Sequence, residues 1–140
     1  MERESRLENM EIEALLGSYR GKKVLVTGHT GFKGAWLSIW LHLLGADVVG
    51  VALDPRSEKD VFVFSGIGNR IRDYRTDIRD FEKVSAIVEK EKPDILFHLA
   101  AQPIVLESYN NPVYTFETNV IGTVNLLEVM RWSKSLKTGV

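Results

Sequence analysis

At 140 residues, with a formal net charge of −1 and 44% hydrophobic residues, the chain has material for one core and no basic field for nucleic acid. It has no cysteine, which excludes disulfides, thiolate nucleophiles and zinc–thiolate centres, and its three histidines are too dispersed for a metal site. The apolar runs are too short to cross a bilayer and the start lacks a signal-peptide core, so no membrane partner and a cytoplasmic location are expected.

Residues 1–18 read as a leader. Leu7, Met10, Ile12, Leu15 and Leu16 are scattered among charges in the pattern of a weak amphipathic helix, which Gly17 would end. Residues 19–140 read as one domain that opens on its most informative stretch, Lys22-Lys23-Val24-Leu25-Val26-Thr27-Gly28-His29-Thr30-Gly31-Phe32-Lys33-Gly34. The short β-branched run reads as a buried parallel strand. It turns on Thr27-Gly28 and opens a helix near Gly34, which is the layout of a phosphate-binding corner. Gly28 would let the backbone turn sharply, Gly31 would leave room where a pyrophosphate approaches, and Gly34 would let the helix pack closely on the strand. The spacing is Gly-x-x-Gly-x-x-Gly, not the commoner Gly-x-Gly-x-x-Gly. A P-loop is excluded because Lys33 precedes Gly34, not Ser or Thr. Gly28, Thr30, Gly31, Phe32, Lys33 and Gly34 are the cofactor-binding candidates here. Lys33 either adds a cation beside the pyrophosphate or is a solvated first-turn lysine.

The helix over about residues 34–44 carries Trp36, Leu37, Trp40, Leu41 and Leu44 on one face, expected to pack on the sheet, and Gly45 closes it. A second strand covers about residues 47–53. Asp54 follows, about twenty residues past the glycine motif, where an acid grips the adenosine ribose. The alternative is a turn residue before Pro55, and Arg56 would suit a ribose 2′-phosphate, with NAD favoured over NADP. Residues 60–69 look irregular. A third strand, about residues 71–75, leads through Asp77-Ile78-Arg79-Asp80 into a helix over 80–91 with an apolar stripe of Phe81, Val84, Ile87 and Val88. Lys92-Pro93-Asp94 breaks it. The fourth strand, about residues 95–99, ends in Ala100-Ala101, small residues where a flat ring can approach the backbone. His98 is expected to be packed and hydrogen-bonded, His29 to be a loop residue offering backbone groups, and His42 to lie on a helix surface. Residues 102–110 show no regular pattern. Asn111-Pro112 announces a helix running to about residue 133, with Val113, Phe116, Val120, Val124, Leu127 and Met130 along one side. Residues 135–140 read as a short polar tail.

Apolar strands separated by helices predict an α/β fold, a Rossmann-type doubly wound parallel sheet of order 3-2-1-4. It would be partial, lacking later strands and a substrate domain. Its crevice would lie at the carboxyl ends of strands 1 and 4, and strand 4 would present an open hydrophobic edge favouring self-association.

These residues resemble the N-terminal part of an extended short-chain dehydrogenase/reductase, and within that superfamily the CDP-glucose 4,6-dehydratases. The resemblance rests on Val26-Thr27-Gly28-His29-Thr30-Gly31-Phe32-Lys33-Gly34-Ala35-Trp36-Leu37, Asp77-Ile78-Arg79-Asp80, Phe97-His98-Leu99-Ala100-Ala101-Gln102-Pro103 and Thr118-Asn119-Val120-Ile121-Gly122-Thr123-Val124-Asn125. It implies that the glycine turn holds the NAD pyrophosphate and that Asp77 and Ile78 flank the adenine. Leu99, Ala100, Ala101 and Gln102 would line the nicotinamide side, supported by Asn119. It also implies a homodimer through the helix over 111–133. The implied reaction is an internal redox: hydride leaves C4 of a nucleotide sugar, here CDP-glucose, for NAD; water leaves across C5 and C6; hydride returns at C6. A tyrosine with a lysine four residues on serves as base. Here the one tyrosine with such a lysine is Tyr19, with Lys23, ahead of the first strand. The family pattern thus implies a dehydratase of which this chain holds only the cofactor part, itself inactive. The alternatives are a binding module without chemistry, a GDP-mannose dehydratase or a sugar epimerase. Many superfamily members carry the ribose acid where Ala52 stands.

Overall fold

The structure, a computed structural model, describes residue 14 and residues 17–140. The expected amphipathic leader helix falls almost wholly outside the described residues. Gly17 and Ser18 are helical, so Gly17 does not end a helix; the chain turns after them at Gly21, whose φ is 72°.

Val24, Leu25 and Val26 are wholly buried, which is what a strand covered on both faces requires. They form β1 (Lys23–Thr27), followed by α1 (Phe32–Leu43), β2 (Asp47–Ala52), the short α2 (Val61–Ser65) and a 3₁₀ turn (Ile67–Asn69). Then come β3 (Arg72–Arg75), α3 (Phe81–Glu91), β4 (Ile95–His98), α4 (Val105–Asn110), α5 (Pro112–Phe116), a π turn (Glu117–Ile121), α6 (Gly122–Trp132) and β5 (Thr138–Gly139). The strands form one parallel sheet of order β3-β2-β1-β4-β5. On one face Leu25, Val49, Val51 and Leu96 pack against Val84, Ile87 and Val88 of α3 and Leu126 and Val129 of α6. On the other, Val24, Val26 and Val48 meet Leu41 of α1.

Four expectations need correction. The fourth strand is not the edge of the sheet. β5 covers part of it, with Ile95 opposite Thr138 and Leu96 opposite Gly139, and Val140 N–H donates to the Leu96 carbonyl at 2.9 Å. A two-residue strand in a polar tail carries no alternation to detect, so main-chain pairing alone reveals it. Second, α1 does not bury its tryptophans: Trp36 is 45% and Trp40 63% exposed, while Gly34, Ala35, Ser38 and Leu41 face inward. A Cβ on Gly34 would overlap the Gly28 carbonyl oxygen, so the helix lies too close to the sheet for a large ring between them. Third, Val113, Phe116, Val120, Val124 and Leu127 point outward; Thr118, Gly122, Leu126 and Val129 face the core, and Met130 packs against it half-buried. Fourth, two segments expected to be irregular contain the short helices α2 and α4. At the start of α5, Asn111 caps as expected: its Oδ1 accepts from Tyr114 N–H and Pro112 takes the first turn.

Candidate functional site

β1 ends on Thr27, and the chain reverses at Gly28 with φ 74°, a left-handed conformation that disfavours any side chain. A Cβ there would lie 2.7 Å from the Ala100 main-chain nitrogen, so glycine is needed twice over. Thr30 Oγ1 donates to the Leu53 carbonyl at 3.0 Å and pins the loop to the end of β2. α1 then begins with no side-chain cap, and the Phe32, Lys33 and Gly34 amides have no acceptor among the described residues. Three free N–H groups at the positive end of a twelve-residue helix face the mouth of a cleft.

That cleft measures about 810 Å³ and lies over the carboxyl ends of β1, β2 and β4, where the strand order reverses. It gathers most of the sequence candidates: Gly28, Thr30, Gly31, Phe32, Lys33, Gly34, Asp54, Asp77, Ile78, Leu99, Ala100 and Ala101 all line it. Asp54 stands at one end with its side chain 86% exposed, 3.8 Å from the Arg75 guanidinium. Past the end of the neighbouring β3, Arg79 holds both oxygens of Asp77: the main-chain N–H donates to Oδ1 at 2.9 Å and Nη2 to Oδ2 at 2.8 Å. These bonds hold the Asp77 carboxyl below the usual carboxylate range. Arg79 also donates to Glu117 at 2.9 Å and lies over the Tyr114 ring, so it straps the end of β3 to the π turn.

Two candidates are placed behind the wall rather than on it. Gln102 N–H donates to Asn119 Oδ1 at 2.7 Å, and Asn119 Nδ2 donates back to the Gln102 carbonyl at 3.1 Å. The Gln102 side chain is spent on Ile104 and Thr115. This pairing fixes the course of the chain after Ala101.

The π turn presents a residue that sequence reading missed. Thr118 lines the cleft, is only 8% exposed, and its Oγ1 has no hydrogen-bond partner. A buried hydroxyl without a partner costs free energy, and an extra residue in a helical turn is a common way to aim a group at a site. Its sole sequence signal is its place beside Asn119.

His29 is also corrected. It is wholly buried, not a loop residue lending only its backbone. Nε2 lies 2.8 Å from Asp73 Oδ1, the ring meets Phe62 edge-on, and Gly50 leaves room for it because a Cβ there would overlap the imidazole. Burial pushes its pKa below 6.5 against the pull of Asp73, and Nδ1 makes no hydrogen bond. Among the described residues no group of His, Asp and Glu is arranged to hold a metal, and no helix is long and apolar enough to cross a membrane.

A parallel sheet flanked by helices, with a glycine turn at its switch point, defines a Rossmann-type domain. The sequence matches the family described as GDP-mannose 4,6 dehydratase over residues 25–139, and the chain belongs to that family. It is 47% identical over 122 residues to the CDP-glucose 4,6-dehydratase of Salmonella typhimurium, covering 87% of this chain and 34% of that one. It is 37% identical to the CDP-paratose 2-epimerase of Salmonella typhi, covering 78% of this chain and 32% of the relative. The UDP-glucose 4-epimerase of Thermus thermophilus, solved in complex with NAD, superposes with a TM-score of 0.72 at 31% identity over 83% of this chain and 36% of that one. The chain spans about a third of the length of the curated relatives it matches.

Proposed function

We propose that this chain is the cofactor-binding part of a nucleotide-sugar 4,6-dehydratase, with NAD in the cleft and CDP-glucose as the substrate of the whole enzyme. The observation that carries the reading is the cleft itself: unpaired helix-start amides and an unpartnered buried Thr118 hydroxyl border one space. The 47% identity to a CDP-glucose 4,6-dehydratase supports the substrate.

In this reading the amides of Phe32, Lys33 and Gly34 receive the diphosphate, with the Lys33 ammonium beside them. Asp54 accepts from the adenosine ribose. Asp77 and Ile78 bound the adenine, and Arg79 keeps Asp77 ionised and oriented. Leu99, Ala100 and Ala101 form the flat side of the nicotinamide pocket, which Gln102 and Asn119 hold from behind, and Thr118 hydrogen-bonds the cofactor. NAD, when bound, supplies the hydride acceptor of the internal redox. The chain's own share is to bind, orient and shield. Tyr19, the one tyrosine with a lysine four residues on, packs on Phe97 and does not line the cleft, and Tyr114, which does line it, has Thr118 at that offset, so no tyrosine–lysine pair stands at the cleft. A second copy packs on the outward apolar stripe of α5 and α6.

The test is mass spectrometry of purified chain incubated with NAD and CDP-glucose. No CDP-4-keto-6-deoxyglucose is expected from this chain, and appearance of that product would overturn the division of labour proposed here.

A further inference from the structure

Beneath the wall of the cleft runs a chain of hydrogen bonds whose direction can be deduced. Thr27 is wholly buried, and its Oγ1 accepts from Leu99 N–H at 3.1 Å, an amide shared with the Thr27 carbonyl at 3.2 Å, and from Ala100 N–H at 3.2 Å. A hydroxyl has two lone pairs and one proton. With both lone pairs taken, the Thr27 proton goes to its remaining neighbour, His98 Nδ1, at 2.7 Å. At the far side of the ring, Nε2 lies 2.9 Å from Thr123 Oγ1, and that hydroxyl donates to the Asn119 carbonyl at 2.7 Å. Thr123 Oγ1 therefore accepts, and His98 Nε2 carries the hydrogen. Every donor meets an acceptor only if the imidazole is neutral and protonated on Nε2. No charged side chain hydrogen-bonds the ring; its side-chain partners are the Thr27 and Thr123 hydroxyls.

We infer that His98 is a positioning residue that locks the Leu99–Ala100 main chain against Gly28 and couples it, through Thr123, to the π turn bearing Thr118 and Asn119. It touches no ligand. It orients the Thr27 hydroxyl, and Thr27 holds the two amides that set where the wall of the cleft stands. That Ala100 segment lies close enough to Gly28 to exclude even a methyl group, so a small shift of the wall alters the width of the pocket. The consequence for cofactor affinity rests on the reading of the cleft as an NAD site; the protonation pattern does not.

The experiment has two arms. Imidazole ¹⁵N NMR on the unmutated chain at pH 7, with the His98→Gln spectrum to assign the signal, should show His98 neutral with hydrogen on Nε2. A ring protonated on Nδ1, or doubly protonated, overturns the inference whether or not NAD binds. In the second arm NAD affinity is measured for Thr27→Val, His98→Leu, their double variant and His98→Asn. Each single apolar variant should weaken binding about tenfold, the usual size for one lost buried hydrogen bond. The double variant should weaken it no further, because both changes cut one chain. Asn Oδ1 replaces the Nδ1 acceptor, so His98→Asn should recover most of the loss. Additive losses, or no recovery with Asn, would refute the relay. Failure of the unmutated chain to bind NAD would instead refute the proposed function and leave the NMR arm to decide.

Discussion

Thr118 is the residue at which structure and function pull apart. Its hydroxyl contributes nothing to the fold, since it is buried and unpaired, yet it lines the cleft. Replacing such a group by an apolar isostere is close to neutral for stability. Thr118→Val should therefore leave the thermal midpoint unchanged, or raise it slightly, while weakening NAD binding about three- to tenfold by calorimetry. A variant that unfolds more easily would show that Thr118 has a structural partner after all. The buried histidines make a second residue-scale prediction. Burial lowers the native pKa of both His29 and His98 below 6.5. The unfolded chain then takes up protons near pH 6.5 that the native state refuses, so this contribution is complete above pH 6.5 and is lost as pH falls below it. The loss is at most about 1.4 kcal/mol per pH unit for each ring. Urea unfolding should show lower stability at pH 5.5 than at pH 7.5; equal stability would contradict the assignment of both rings as neutral. Asp77 and Glu91, whose pKa values are depressed, lose their contribution only at lower pH, below the ordinary carboxylate range.

At the scale of elements, helical period was readable but the buried face was not. In α1 the expected stripe is only partly buried: Leu41 packs on the sheet with Leu37 beside it, but Trp36 and Trp40 are exposed and Gly34, Ala35 and Ser38 share the inner face; in the π turn and α6 the inner face is Thr118, Gly122, Leu126 and Val129. Close approach explains it, since Ile78 fills the space a Gly122 side chain would need. The glycine turn was legible because its constraints are local: a strand end, a left-handed residue and a helix start within a few positions. His29 and Thr118 were not, because their meaning depends on Asp73 and on a π turn that only the packed chain creates. The outward stripe Val113, Phe116, Val120, Val124 and Leu127 then takes on a different meaning from core. Contiguous exposed apolar surface of this kind favours association. Sedimentation should show a dimer at micromolar concentration, and Leu127→Lys should shift it to monomer with little change in thermal stability. A Leu127→Lys variant that remains dimeric would remove α6 from the interface.

For the whole molecule, the predicted order 3-2-1-4 held because parallel strands joined by right-handed crossovers leave few alternatives. The addition of β5 changes how the sheet ends. The chain at and just after β5 accepts from His98 N–H at 2.7 Å and donates to Leu96, so part of β4 is covered and the short β5 is the outer strand. The free amides at the start of α1 and the unpartnered Thr118 hydroxyl border one place, the cleft above β1 and β4. Their proposed role is to meet a dinucleotide diphosphate, and an amide NMR titration of the chain with NAD reads that meeting directly. Saturable changes should be largest at Phe32, Lys33 and Gly34 and extend to Ala100 and Thr118. A folded spectrum in which those amides stay still, or in which the changes gather at the smaller hollow between α3 and the end of α6 around Val88 and Trp132, would contradict it.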